Sequence, residues 1–447
     1  MPQPDLLNLL SDLIASAKKA GADAADAIVA DGTSVSVSYR LGKLEQLERS
    51  EGGDIGLRVL IGKRQAIVSS ADRSKAALKE LVDRAVAMAR TVPEDPYCGI
   101  AEPGQLAKSL PALDICDPGE ISAETLIEKA RSCEAAALAV KGVSNSEGAS
   151  AAWGSSQVAI AASNGFARAY ESSGSSLSAS VIAGDSETGM ETDYDYTSAV
   201  YFADLKSPEE VGRSAGERAV RRLGGRKISS CKVPVIYDAR VARGMLGHFL
   251  GAINGTAVAR GTTFLKDAMA SEVFASEIDI FEDPHRNRGL RSKPCDAEGL
   301  ANKRRAIIEK GVLTTWILDL RSARQLKLEP TGHATRGTGS PPSPGTTNVW
   351  LAAGPLSPAA LMRDIKEGLF VTDLVGQGVN GVTGDYSRGA VGFWIENGEI
   401  TYPVHEITVA GNLKDMFKRI TPANDLDMRY GIDAPTLRID GMTLAGM

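Results

Sequence analysis

The chain has 447 residues, 43% of them hydrophobic and 24% charged, which is ordinary for a folded globular protein and excludes wholesale disorder. Fifty basic and 56 acidic residues give a net charge of −6, which offers nucleic acid no general attraction. The five cysteines have no C-x-x-C spacing, so we expect no disulfide framework, no zinc knuckle and a reducing compartment.

The N-terminal region has the pattern of a sheet flanked by helices. Leucines at helical spacing predict an amphipathic helix over residues 4–20, and the acidic residues among them argue against a signal peptide. Short alternating segments separated by glycines predict hairpins. A second helix is predicted over residues 74–91. We expect a first domain at 1–97 and a proline-rich connector at 98–120.

The same order of elements then recurs. A helix is predicted over residues 122–141, with Ser122 as its N-cap, and small-residue strands follow. Asn164-Gly165 is a hairpin signal within those strands. Ser207 and the proline after it predict the start of another helix. We therefore expect a second helix-flanked layer over residues 121–225.

From residue 226 onward the pattern favours strands. A buried strand and a helix over residues 239–253 are followed by hairpin signals at 310–311 and 397–398. The predicted fold class is α+β, with an N-terminal half of two helix-flanked antiparallel β layers and a β-rich C-terminal domain at 226–447. Because no uncharged apolar run reaches about 18 residues, we expect no membrane contact and a cytoplasmic protein.

A segment rich in Gly, Pro, Ser and Thr covers residues 330–346, and a helix over 358–368 is predicted after it. This composition predicts a mobile loop that forms no regular strand pairing, buries almost nothing, and lines or gates the entrance of a peptide cavity. His333 and Arg336 within it are candidate peptide-cavity residues, since arginine presents a donor fork suited to carboxylates. The alternative is an exposed connector with no role.

Three short segments match functional motifs, but the secondary structure predicted around each of them does not suit the motif's function. Residues 376–381 fit G-x-G-x-x-G, but no helix follows to hold a pyrophosphate. Residues 212–216 fit G-x-S-x-G, but they lie inside a predicted helix. His405 and the glutamate after it have no second histidine four residues on, so His405 is interpreted as an exposed strand residue. His248 lies inside a helix, where a packed histidine is more common than a metal ligand.

Two segments resemble the TldD/PmbA family, also called modulator of DNA gyrase, in its PmbA (TldE) branch. They are residues 233–265, from VPVIYD to GTTFL, and residues 384–417, from GDYSRG to LKDMF. The resemblance implies a heterodimeric, zinc-dependent peptidase complex of the bacterial cytoplasm. Its implied substrates are unfolded or extended peptides that enter a cavity between subunits, and the name implies only an indirect genetic link to gyrase.

The resemblance also assigns the metal-motif positions. A TldD-type subunit carries H-E-x-x-x-H on a helix and a later cysteine, and this pattern puts Arg243, Gly244 and His248 at its three named positions. Arginine is not a zinc ligand at neutral pH, glycine cannot act as a base, and no cysteine follows Cys295. The resemblance thus implies a non-catalytic TldE-like subunit without a cofactor of its own, whose TldD-like partner holds the zinc.

Two alternatives remain open at this point. One is an autonomous, homo-oligomeric metallopeptidase that assembles His248 with His285, His333 or another distant ligand. The other is a homodimeric peptide-binding or chaperone-like protein. Near-stoichiometric zinc in the purified chain would favour the first alternative over the subunit hypothesis. Co-purification with a TldD-like chain would count against the second alternative.

Overall fold

The computed structural model describes residues 3–187 and 189–446, and its N-terminal half consists of two helix-flanked units built in the same order. The elements of the first unit are α1 (Gln3–Lys19), β1 (Ala24–Arg40), β2 (Lys43–Ile61), β3 (Arg64–Ser70) and α2 (Lys75–Thr91). Those of the second are α3 (Ala123–Leu138), β4 (Val143–Ala162), β5 (Ala167–Asp185), β6 (Gly189–Ala199) and α4 (Pro208–Arg221). Short 3-10 turns lie at Pro103–Gln105 and Phe202–Asp204.

The two units join edge to edge. Strand β1 pairs antiparallel with β4, so the six strands form one sheet in the order β3-β2-β1-β4-β5-β6. Helices α1 and α2 pack on one part of this sheet over a leucine- and alanine-rich core. Helices α3 and α4 pack on the other part over a separate core that includes Trp153. The predicted α+β class is confirmed, and both predicted layers belong to one continuous sheet.

Helix starts and hairpin turns follow local side-chain chemistry. Ser122 Oγ accepts a hydrogen bond from Thr125 N at 3.2 Å, which satisfies one of the free amides at the start of α3. Ser207 Oγ accepts from Glu210 N at 3.1 Å at the start of α4. Gly165 has φ +95° in the β4–β5 turn, a conformation that glycine adopts without strain. The predicted N-caps and this turn are confirmed.

The C-terminal half contains many short strands and five helices among the residues that the structure describes. Its strands are β7 (Cys231–Tyr237), β8 (Ile280–Asp283), β9 (Arg305–Glu309), β10 (Val312–Leu313), β11 (Ala334–Thr335), β12 (Ser343–Pro344), β13 (Asn348–Leu351), β14 (Glu367–Val375), β15 (Asp385–Glu396), β16 (Glu399–Asn412), β17 (Ile420–Pro422), β18 (Ile432–Asp433) and β19 (Leu437–Ala445). Its helices are α5 (Ala239–Ala252), α6 (Gly255–Arg260), α7 (Leu320–Leu326), α8 (Pro358–Met362) and α9 (Leu413–Phe417).

One C-terminal sheet closes on itself. Its order is β16-β15-β14-β7-β19-β17, and β16 also pairs with β19, so five of the strands form a ring. A second sheet has the order β10-β9-β8-β13-β18. A large apolar core lies between these sheets and α5, and Phe249, Phe274 and Phe417 pack edge-to-face or stacked within it. Helix α5 is therefore held between the two sheets. The predicted domain bounds stay predictions.

The expectation for residues 330–346 is wrong in two respects. Strands β11 and β12 pair antiparallel within this segment, so it does contain regular structure. It also buries side chains: His333 is 3% exposed, and the Arg336 side chain is fully buried against the N-terminal sheet. The prediction failed because the partners of these side chains lie far away in the sequence. The gating of a peptide cavity stays a prediction.

Two smaller expectations also change. Helix α8 ends at Met362 instead of residue 368, because β14 already begins at Glu367 and pairs in parallel with β7. His405 lies on a strand as predicted, but it is half-buried, with Nδ1 3.7 Å from Glu191 Oε1. Within residues 3–187 and 189–446, no helix is both long and apolar enough to cross a membrane.

Candidate functional site

Helix α5 carries the predicted metal-motif positions, and local chemistry fixes where it starts. Asp238 follows β7 directly, its backbone N–H donates to Val371 O at 3.0 Å, and its side chain accepts from Arg240 N at 2.9 Å. The start of the helix is thereby tied to the closed sheet. One face of α5 packs into the core through Ala242, Met245, Leu246, Phe249 and Leu250. The opposite face, with Gly244 and Gly247, is open.

The motif positions on α5 have surroundings that do not suit zinc. The guanidinium of Arg243 lies 4.8 Å from the ring centroid of Tyr430 and 5.7 Å from that of Tyr196, distances typical of cation–π contacts. His248 packs with its ring at 76° to that of Tyr386, 6.0 Å between centroids. Burial lowers the pKa of His248, and the charge of Arg388 lowers it further.

A zinc site needs three or four neighbouring donors from histidine, cysteine or carboxylate side chains. Within the part of the chain that the structure describes, no group of three or more such side chains is placed to hold a metal ion. Arg243 presents only donors, and Gly244 has no side chain. The residues at the motif positions therefore do not fit the zinc ion that the family resemblance implies, and no chemical step is derived through it.

An open depression of about 400 Å³ lies beside α5. We call it the arginine depression and define it by Arg240, Arg243, Gly244, Arg291, Asp373 and Arg388. The side chains come from α5, from β14 and β15, and from the loop that follows β8. A volume of this size is typical of sites for small ligands. The predicted positions Arg243 and Gly244 line it, whereas His248 lies on the neighbouring face of the helix.

The arginines of the depression differ in their partners. Arg240 Nη1 pairs with Asp193 Oδ1 at 2.8 Å and also donates to Tyr194 O, so its charge is compensated. Arg291 Nη2 donates to Thr346 O at 3.0 Å. Neither Arg291 nor Arg243 forms an ion pair with any carboxylate among residues 3–187 and 189–446.

Arg388 has the same kind of surroundings. Its Nη2 donates to Leu374 O at 3.1 Å, and its Nε lies 3.5 Å from Val375 O. Both acceptors are neutral backbone carbonyls, and no carboxylate in the described ranges pairs with it. Asp373 on the same wall is one-third exposed, lies 3.8 Å from Arg222, and accepts a hydrogen bond from Leu374 N. The depression thus holds three guanidinium groups without an acidic partner.

The other two candidates lie elsewhere. His333 Nε2 is 2.5 Å from Glu282 Oε2, and its Nδ1 is 2.7 Å from Thr331 Oγ1. Burial alone would raise the pKa of Glu282, but the hydrogen bond and charge of His333 bring it below its ordinary value. Arg336 pairs with Asp26 of β1. Both side chains are engaged within the chain, and their contact with peptide stays a prediction.

Asp26, Arg58 and Arg336 form a buried group that we call the Asp26 cluster. Arg58 Nε donates to Asp26 Oδ2 at 2.8 Å, and Arg336 Nη1 donates to the other oxygen. Burial alone would raise the pKa of Asp26, but the charges of Arg336 and Arg58 hold it below its ordinary value. The cluster joins the 330–346 segment to the N-terminal sheet.

Sequence reasoning missed most of the arginine depression. Arg240 and Arg243 are three residues apart on a predicted helix, a spacing that puts both on one face, and this was the available local signal. Arg291 and Arg388 come from distant parts of the chain. Only the pairing of the sheets brings them to α5.

The fold defines a class of protein: an α+β chain whose C-terminal domain packs helix α5 between a closed sheet and a second sheet. Family models agree with this class. Models of the PmbA/TldA metallopeptidase domain 1, central domain and C-terminal domain match residues 25–89, 116–223 and 230–446.

The metalloprotease PmbA of Escherichia coli O157:H7 is 42% identical over 436 residues, which cover 97% of this chain and 94% of that protein. The chain belongs to the PmbA/TldD family. A crystal structure of a modulator of DNA gyrase from Bacteroides thetaiotaomicron matches with TM-score 0.92 and 25% identity, covering 100% of both chains. TldE from Thermococcus kodakarensis matches with TM-score 0.88 and 19% identity over 98% of this chain and 100% of that one, a likeness of fold.

Proposed function

We propose that this chain is the non-catalytic, TldE-like subunit of a TldD/TldE-type zinc metallopeptidase complex, which acts on unfolded or extended peptides in the cytoplasm. The observation that carries the proposal is the chemistry of α5: Arg243 and Gly244, which the family resemblance aligns with a metal ligand and a general base, can act as neither. A metallopeptidase needs a metal-activated water and a base placed beside it. Neither residue type supplies these functions.

The surroundings of Arg243 support the same reading. Its side chain is held by the rings of Tyr196 and Tyr430, so this position has a packed, positively charged occupant. A metal ion placed here would be repelled by the guanidinium groups of Arg243 and Arg388. The metal of the complex therefore belongs to a TldD-like partner, and this chain contributes binding surface to the shared peptide cavity.

The test compares three preparations: this chain alone, the TldD-like chain of the same organism alone, and the two co-expressed. Zinc is measured by elemental analysis after dialysis, and cleavage is measured with an unstructured fluorogenic peptide. We expect the two chains to co-purify, the assembly to cleave the peptide in a chelator-sensitive manner, and this chain alone to be inactive. The matched control is an assembly whose partner has glutamine for the glutamate of H-E-x-x-x-H.

One result would overturn the proposal. That result is cleavage of the peptide by this chain alone, provided that a chelator abolishes the activity, zinc restores it, and the variant His248→Ala loses it. A stable homodimer that ignores the TldD-like chain would instead favour a separate peptide-binding protein.

A further inference from the structure

We propose that the arginine depression binds a carboxylate group of the peptide, and that the α-carboxylate at the peptide's C-terminus is the group it takes. The peptide part of this inference rests on the proposed function. The carboxylate part rests on the charge, positioning and accessibility of the arginine side chains.

The depression carries an uncompensated positive charge. Arg243, Arg291 and Arg388 face one depression, and none of them pairs with a carboxylate of the described residues. Arg240 beside them is already neutralised by Asp193 at 2.8 Å. Arginines gathered without acidic partners repel each other, so the group gains stability when an anion binds between them.

The three guanidinium groups are held in place before any ligand binds. Each of the three guanidinium groups is held by a neutral neighbour: Arg243 by two tyrosine rings, Arg291 by the Thr346 carbonyl, and Arg388 by the Leu374 carbonyl. A guanidinium has five N–H donors, so one such contact leaves several donors free. Because the side chains are already held, a ligand that binds them loses little of its affinity to side-chain ordering.

The depression is accessible to a ligand. A Cβ atom added at Gly244 or Gly247 would meet no other atom within 4 Å, so the exposed face of α5 leaves open space next to Arg243. The backbone of a ligand can therefore approach the helix closely. The volume of about 400 Å³ accommodates a chain terminus as well as a single anion.

Asp373 separates a peptide terminus from a simple anion. Asp373 lies on the wall of the depression, and its side chain is one-third exposed. Its charge repels a free phosphate and a peptide carboxylate alike, but a peptide also brings an N–H that can donate a hydrogen bond to Asp373, and this contact offsets the repulsion. Three donors and one acceptor together match the end of a peptide, which brings a carboxylate and an amide N–H.

The experiment measures binding of a short, unstructured, N-terminally dye-labelled peptide to the full chain by fluorescence anisotropy. The peptide is used as the free acid, as the C-terminal amide, and as the amide with aspartate at its last position. Wild type is compared with Arg243→Gln, Arg388→Gln and Arg243→Lys. The matched control is Arg84→Gln, which removes the same charge from an exposed position on α2. Thermal unfolding of every variant reports folding.

We expect wild type to bind the free acid about tenfold more tightly than the amide, the effect of one good charged hydrogen-bond pair. Each Arg→Gln variant should reduce that preference, Arg243→Lys should keep part of it, and Arg84→Gln should leave it unchanged. If the amide that ends in aspartate binds as well as the free acid, the carboxylate chemistry stands and the α-carboxylate assignment falls.

Equal binding of acid and amide by wild type overturns the proposal, as does a preference that survives both Arg→Gln substitutions. If one variant does not fold, the acid–amide comparison on wild type and on the other variant decides. Because binding is measured on this chain alone, it can succeed when the complex shows no cleavage. Conversely, a cleaving complex without carboxylate preference leaves the proposed function intact.

Discussion

Two groups of arginines in this molecule have opposite surroundings. In the Asp26 cluster, Arg58 and Arg336 share one carboxylate, and all three side chains are at most 7% exposed. In the arginine depression, Arg243 packs against tyrosine rings, Arg388 donates to a carbonyl oxygen, and both face an open volume. The first group has its counter-charge within the chain. The second has no paired counter-charge among the residues that the structure describes, although both groups are built from the same residue type.

The difference shows how the role of an arginine follows from its partner. A buried guanidinium that lost its carboxylate would pay a desolvation cost without a compensating interaction, so Asp26 is a structural requirement. An accessible guanidinium keeps its water, and its charge remains available to a ligand. Substitutions in the Asp26 cluster should therefore lower the free energy of unfolding, whereas substitutions in the arginine depression should mainly weaken ligand binding.

The largest effect on stability is expected for Asp26→Asn. The change leaves the buried guanidinium groups of Arg58 and Arg336 without a charged partner, which costs roughly 3–5 kcal/mol of unfolding free energy. Urea unfolding measures it. Asp12→Asn at an exposed position of α1 is the control and should change stability by less than about 0.5 kcal/mol. Equal midpoints for the two variants would show that the Asp26 cluster does not support the fold.

A smaller loss is expected for Gly56→Ala on β2. A Cβ atom there would lie 2.0 Å from Thr338 O, so the 330–346 segment must shift from the sheet, at a cost of about 1–3 kcal/mol. Gly52→Ala on the same strand is the matched control, because its Cβ would meet no atom within 4 Å. Thermal unfolding that moves equally in both variants would contradict the contact between this segment and the sheet.

The pH dependence of stability offers a third test, through Glu298, which lines a small cavity together with Asp26 and Arg58. Burial raises the pKa of Glu298 to about 8, and the charge of Asp296 adds to this shift. The folded state then holds a proton that the unfolded state has lost between the ordinary pKa near 4.5 and about 8. Stability should therefore fall as pH rises through this window, by at most about 1.4 kcal/mol per pH unit.

The variant Glu298→Gln has no titrating group at this position, so this contribution to the pH dependence of stability is lost. Its amide oxygen can still accept the 2.8 Å hydrogen bond from Leu320 N. Urea unfolding at several pH values should give a flatter profile for the variant than for wild type. Parallel profiles would show that Glu298 is ionised in the folded protein.

The smallest effect on stability is expected for Arg243→Gln. The guanidinium has no ion pair to lose among the described residues, so only its contacts with the Tyr196 and Tyr430 rings are lost, which costs about 1 kcal/mol of unfolding free energy. Differential scanning calorimetry on this variant and on Asp26→Asn compares the two arginine groups directly. If Arg243→Gln loses several kcal/mol of unfolding free energy, Arg243 supports the fold as the Asp26 cluster does, and the contrast between the two arginine groups is wrong.

Local signals predicted much of the fold. Ser122, Ser207 and Asn164-Gly165 determine helix starts and a turn through contacts within three residues, which makes them readable from sequence. The resemblance of residues around α5 predicted the family, which the family models confirm, and the altered metal motif stays a prediction. The segment 330–346 was misjudged because composition says nothing about a partner such as Asp26, 310 residues away. The arginine depression was missed for the same reason, since four separate segments build it.

The most direct test of the account is the turnover of peptide by the assembled two-chain complex when this chain carries His248→Ala. His248 packs against Tyr386, and no group of metal-binding side chains surrounds it among residues 3–187 and 189–446. We therefore expect kcat to stay within about twofold of wild type, whereas loss of a catalytic acid or base typically costs about 10²-fold or more. The reference is the same complex with the partner's motif glutamate replaced by glutamine. A loss at His248 as large as that reference would contradict the assignment of this chain as the subunit without catalytic groups.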